Sequence, residues 1–84
     1  MKVILYSTPF CGWCSRTKEF FKSNNIKFKN IDISTSAKKV QEMVKLSGQS
    51  GVPVIKVDGE IIVGFDESAL RKALHLKPRK FSFF

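Results

Sequence analysis

The chain has 84 residues, 15 Lys and Arg against 7 Asp and Glu, a net charge of +8, and 43% apolar residues, with eight Phe. That length holds one domain, in which only about 60% of the unfolded chain's surface can be buried. The apolar share excludes a disordered chain, and apolar runs as short as Val3-Ile4-Leu5-Tyr6 exclude a membrane span of about 20 residues.

Lys2–Tyr6 is a short apolar run and reads as a fully buried strand, broken by Ser7, Thr8 and Pro9. From Gly12 to Ser23 the spacing turns helical. Cys14, Thr17, Phe20 and Phe21 share one stripe, with Arg16, Lys18, Glu19 and Lys22 outside it. Asn24-Asn25 is a helix stop. Ile26, Phe28, Ile31 and Ile33 alternate with polar residues, so a second strand is expected over Lys27–Asp32. Strand, helix and strand within about 30 residues make a βαβ unit, which requires the two strands to be parallel.

Ser34-Thr35-Ser36 supplies helix-capping chemistry, and Ala37, Val40, Met43 and Val44 form one helical face running to Ser47-Gly48. Val54–Val57 is a strand. Asp58-Gly59 between two apolar runs is a strong hairpin signal, so Glu60–Val63 should return antiparallel. Asp66 then caps a last helix to about His75, with Leu70, Ala73 and Leu74 inward. His75 is expected to support the helix dipole at that end rather than to act as a base. The order is β-α-β-α-β-β-α, a four-stranded mixed sheet flanked by helices. Residues 1–76 form the domain, and 77–84 form a basic, aromatic tail. Pro78 ends the helical pattern there. The tail's aromatics are expected to fold back on the last helix, to stay free, or to dock on an acidic partner or anionic membrane.

Both cysteines sit in Cys11-Gly12-Trp13-Cys14, after a strand and at a helix start. Three readings compete. As a structural staple, a four-residue loop gives only about 2 kcal/mol. A zinc site wants four ligands, and the chain offers only Cys11, Cys14 and His75 as good ones. The third reading is a redox dithiol, which is what C-x-x-C within a βαβ unit means physically. Unpaired N–H groups of the first helical turn would face the Cys11 sulfur, and with the helix dipole they favour thiolate there. Arg16 and Lys18 could add positive potential. Cys14, one turn further in and on the apolar stripe, should be buried. Cys11 should therefore attack and Cys14 resolve the mixed disulfide. Trp13 cannot face the core with Cys14 and should stand exposed beside the reactive sulfur.

Tyr6-Ser7-Thr8-Pro9-Phe10-Cys11-Gly12-Trp13-Cys14, Gly51-Val52-Pro53 and Val63-Gly64-Phe65-Asp66 together resemble a glutaredoxin, in register over residues 2 to about 75. The resemblance implies a thioredoxin-like fold and a thiol–disulfide oxidoreductase with glutathione as co-substrate and no bound metal. It implies that Pro53 follows a cis peptide bond facing the cysteines. The Val52 backbone would pair, strand-like, with glutathione or a substrate peptide. Gly64, Phe65 and Asp66 would receive the γ-glutamyl group, with Gln49 near the glycine carboxylate. Implied partners are glutathione and disulfide-containing or glutathionylated proteins, met by a cytoplasmic monomer.

Thr8, Gly12, Trp13, Gly51 and Phe65 depart from common family residues. They resemble instead the related redoxins that take electrons from thioredoxin reductase and pass them to ribonucleotide reductase. Small Gly12 also resembles members that share an iron–sulfur cluster in a glutathione-bridged dimer. The basic residues are scattered, with a cluster only at Lys77-Pro78-Arg79-Lys80, and no nucleic-acid-binding motif occurs. The charge therefore reads as a solubilising surface or as attraction to an anionic partner. With no signal-peptide pattern at Met1-Lys2, a reducing intracellular setting is expected.

Overall fold

The computed structural model describes residues 1–77, and the expectations for Pro78–Phe84 lie outside the described residues. Four strands and three helices follow in the order β1 (Val3–Ser7), α1 (Gly12–Ser23), β2 (Lys29–Asp32), α2 (Ala37–Ser47), β3 (Val54–Val57), β4 (Glu60–Val63) and α3 (Glu67–Ala73). The strands form one sheet in the order β2-β1-β3-β4. β1 and β2 run parallel, and the other two pairs are antiparallel. This is the mixed four-stranded sheet that the element order required.

Side chains alternate across the sheet, and each face is covered by helix. On one face Val3, Leu5, Ile55, Val57 and Ile62 pack with Phe20 and Phe21 of α1 and with Leu70 and Ala73 of α3. On the other, Tyr6 and Val54 pack with Met43 of α2, joined by Ile4, Ile61, Val40 and Val44. Cover on both faces explains why β1 is a continuous apolar run rather than an alternating one. The first helix carries its stripe as expected, with Cys14, Thr17, Phe20 and Phe21 buried.

Several element ends differ from the sequence reading, each for a visible reason. Lys2 lies outside β1; its N–H donates to the Asp58 carboxylate (2.8 Å) and its carbonyl accepts from Asp58 N–H (2.8 Å). Ser7 continues the strand instead of breaking it. It is buried, and its hydroxyl donates to Asn30 Oδ1 at 2.7 Å, so the polar group is satisfied. The β1–β2 ladder begins only at Lys29. Lys27 and Phe28 precede the strand, and Phe28 instead packs its ring 4.9 Å from that of Phe21. Ser36 is the residue that caps α2, accepting from Lys39 N–H at 3.2 Å. Ala37, expected on the inward face, is exposed, and the packed stripe starts at Val40. The last helix ends at Ala73 rather than His75. His75 takes φ +57°, its N–H donates to Lys72 O (3.2 Å), and Leu76 N–H donates to Arg71 O (2.8 Å). That is a Schellman closure with histidine where glycine usually stands. His75 is thus a turn residue just past the helix.

Tyr6 reaches from β1 to α2, where its hydroxyl donates to Glu42 Oε2 at 2.6 Å. Burial first, and then the hydrogen bond to Glu42 and its negative charge, push the phenol up to about 12. The same hydrogen bond holds the Glu42 carboxyl below its ordinary value. The raised phenol contributes stability in full below its ordinary value of 10.0, and that contribution is lost as pH climbs toward 12. Tyr6 is the only tyrosine, so phenolate absorbance reads it alone. The native protein should titrate near 12 and the denaturant-unfolded chain near 10. Glu42→Gln should bring the native midpoint down only part of the way, because burial is the larger cause. A native midpoint at the unfolded value would contradict the buried contact.

Candidate active site

The cysteines occupy the turn from β1 into α1. Cys11 has extended backbone angles (φ −115°, ψ 112°) and caps the helix; its sulfur accepts the Cys14 N–H at 3.1 Å. This is the contact expected of a sulfur at a helix N-terminus, where unpaired N–H groups and the dipole stabilise negative charge. The two residues are paired as a disulfide with a Cα–Cα distance of 5.2 Å. Their environments differ: Cys14 is 1% exposed, whereas Cys11 is partly open to solvent. A second thiol can therefore approach Cys11 and not Cys14. Thr17, fully buried one turn on, returns its hydroxyl to the Trp13 carbonyl at 2.8 Å and keeps the helix start in shape.

An open pocket of about 200 Å³ adjoins this turn, lined by Trp13, Val52, Pro53, Gly64 and Phe65. Three separate stretches of sequence meet there, and the sequence reading had singled out all five residues. The Val52–Pro53 peptide bond is cis, as the resemblance implied. The Pro53 carbonyl accepts Gly64 N–H at 2.8 Å, which ties the two loops together. Gly64 has φ +81°, a left-handed conformation that favours glycine. Trp13 is 62% exposed and its indole stacks on Phe65, with centroids 6.1 Å apart. Phe65 in turn meets Phe20 edge-on at 5.8 Å, so the pocket wall is continuous with the core.

Asp66 stands at the rim as the cap of α3, accepting Ala69 N–H at 3.1 Å. It is exposed, and the free side of its carboxylate faces no partner among the described residues. Gln49 is not brought into the pocket lining. Its amide folds back on its own loop and bonds Gly51 and Ser47. Arg16 and Lys18, expected to add positive potential, divide: the Arg16 guanidinium lies 6.0 Å over the Phe65 ring. Lys18 instead adds its charge to the stronger hydrogen bonds from Ser34 that hold Asp32 below its ordinary value. Sequence reasoning did not anticipate the Trp13–Phe65–Arg16 stack. Trp13 and Arg16 are neighbours one turn apart on α1, but Phe65 is some fifty residues away, and only the turn at Gly64 brings it over that helix. Phe10, beside Cys11, is 96% exposed and was likewise not singled out as a site residue.

Comparisons with known proteins point one way. The family model described as Glutaredoxin matches residues 3–62. An uncharacterized glutaredoxin-like 8.6 kDa protein in the rubredoxin operon of Clostridium pasteurianum is 50% identical over 70 residues, covering 83% of this chain and 93% of that one. Glutaredoxin 3 of Escherichia coli strain K12 is 35% identical over 65 residues, 77% of this chain and 78% of that one. Among solved structures, the glutaredoxin of Archaeoglobus fulgidus superposes with a TM-score of 0.81 at 27% identity, covering 87% and 85% of the two chains.

Proposed function

Because the chain belongs to the glutaredoxin family of thioredoxin-fold thiol oxidoreductases, we propose that it reduces protein disulfides and glutathione mixed disulfides, with glutathione as its reductant. The observation that carries this reading is the asymmetry of the two sulfurs. One caps a helix and is partly open to solvent, and the other is buried. In the first step the Cys11 thiolate attacks the glutathione sulfur of a mixed disulfide. A Cys11–glutathione disulfide forms, and the protein thiolate leaves and takes up a proton. A second glutathione thiolate then attacks the bound glutathione sulfur. Glutathione disulfide departs and Cys11 returns as thiolate. On a protein disulfide, the Cys11 thiolate bonds one substrate sulfur and frees the other as a thiolate that takes up a proton; Cys14 then loses its proton and attacks Cys11, which releases the second substrate thiolate to be protonated and leaves Cys11–Cys14 oxidised. Two glutathiones restore the dithiol.

The pocket residues divide the recognition. Val52, held before the cis bond to Pro53, offers its backbone to the cysteinyl part of glutathione, Trp13 flanks the reacting sulfur, and Gly64, Phe65 and Asp66 meet the γ-glutamyl end. A reducing cytoplasm is the setting this chemistry requires. The deciding assay uses one mixed-disulfide substrate in two cuvettes, one with glutathione and its reductase, the other with thioredoxin reductase. Turnover should appear in the first. Turnover in the second alone would transfer the chain to the redoxins fed by thioredoxin reductase.

Asp66→Ala separates binding from chemistry. The contact it removes lies remote from the sulfur and is equally present before and during reaction. The KM for glutathione should therefore rise with little change in kcat. Loss of the cap should also cost the fold about 1 kcal/mol. Steady-state kinetics and a thermal melt check both parts. An unchanged KM would argue that glutathione does not reach α3.

A further inference from the structure

In the loop between α2 and β3, a side chain closes on the backbone of its own loop. The Gln49 side chain grips Gly51 on both sides: its Oε1 accepts Gly51 N–H at 2.7 Å and its Nε2 donates to Gly51 O at 3.0 Å. Only one orientation of the amide satisfies both contacts, since the N–H must meet oxygen and the carbonyl must meet N–H. The amide is itself anchored, with Nε2 3.2 Å from Ser47 Oγ at the end of α2. Gly51 permits this grip. A Cβ built there would lie 2.8 Å from Gln49 Oε1, closer than atoms of this kind approach.

The consequence falls on the next two residues. Gly51 has both backbone groups occupied by Gln49. Pro53 has no N–H, and its carbonyl is held by Gly64 N–H at 2.8 Å. Between them, Val52 has an N–H and a carbonyl with no hydrogen-bond partner among the described residues, and it lines the pocket. An incoming extended chain pairs with free donors and acceptors. Along residues 51–53, Val52 alone offers both.

We propose that Gln49 is a positioning residue that sets substrate register. By occupying Gly51 it confines strand-like pairing to Val52, so that a bound disulfide has one alignment over Cys11. This deepens the reading of the site as one that binds an extended thiol peptide, and it rests on that reading. The probe is a short peptide carrying one glutathionylated cysteine. Gln49→Ala should raise its KM about fivefold, the loss of a pair of modest hydrogen bonds, and leave kcat within about twofold. Gln49→Glu keeps the acceptor for Gly51 N–H and loses the donor to Gly51 O, so it should fall between. Gly51→Ala should act by expelling the Gln49 amide; the double variant should therefore be no worse than Gln49→Ala alone.

A second measurement needs no turnover. The Gly51 amide hydrogen should be protected from exchange in the free wild-type protein and unprotected in Gln49→Ala, while iodoacetamide alkylates Cys11 at the same rate in both. Fast Gly51 exchange in the wild type, an unchanged KM in Gln49→Ala, or additive losses in the double variant would each overturn the proposal. If the wild-type chain is alkylated at Cys11 and protects Gly51 but does not turn over the peptide, the glutathione reading has failed and the grip on Gly51 stands.

Discussion

Cys11→Ser should lower turnover more than about a thousandfold on every disulfide tested, because a hydroxyl at the head of α1 supplies no thiolate at neutral pH. Cys14→Ser should behave differently on two substrates. On a glutathionylated protein it should keep its activity, because free glutathione can resolve the Cys11–glutathione disulfide without help. On an intramolecular protein disulfide it should stall with the substrate attached to Cys11, and the trapped complex should be visible on a non-reducing gel. The distinction follows from burial: Cys14 at 1% exposure can reach only the sulfur next to it. A Cys14→Ser variant inactive on both substrates, or a Cys11→Ser variant active on either, would reverse the assignment.

The largest effect on folding is expected at Phe21. Its side chain is fully buried between α1 and the sheet, with the Phe28 ring 4.9 Å away and the Phe20 ring 6.1 Å away. Phe21→Ala should cost about 3–5 kcal/mol, combining lost transfer energy with a cavity that neighbouring rings cannot fill. A domain of this length has roughly 5–10 kcal/mol in total, so the melting temperature should fall by more than about 12 °C. Calorimetry measures the fall. Phe21 belongs to the core that carries α1 and is not among the residues that line the pocket. Folded molecules of this variant at low temperature should therefore still show an alkylatable Cys11. A melting temperature within a few degrees of wild type would mean that the core between α1 and the sheet tolerates collapse.

Most element cores were legible because their signals are local. The α1 stripe from Cys14 to Phe21 has helical spacing, and Asn25, at φ +56°, accepts the left-handed turn that ends it. The Asp58-Gly59 hairpin gave both flanking strands their limits, because that dipeptide fits the turn and little else. The ends that differed depend on what lies across the sheet. Ile26 and Phe28 alternate like strand residues, yet β1 offers ladder partners only from Lys29. At the end of α3 the chain turns at His75 without glycine, so no residue type announces it. The C-x-x-C pair and the Val52-Pro53 and Gly64-Phe65-Asp66 stretches carried the site. The Gln49 grip stayed hidden, because a side chain that bonds its own loop leaves no periodicity behind it.

The strand order bears on how these molecules behave toward one another when crowded. A sheet grows by adding a chain along an outer strand, and long, uncharged outer strands are the ones that aggregate. Here both outer strands, β2 and β4, are only four residues long. β2 sets Lys29 and Asn30 toward solvent, and β4 begins on exposed Glu60. A protein held near a high working concentration thus gives its neighbours little backbone to template on. Lys29→Val would lengthen the apolar run from Phe28 and should be the substitution that first makes concentrated solutions turn cloudy.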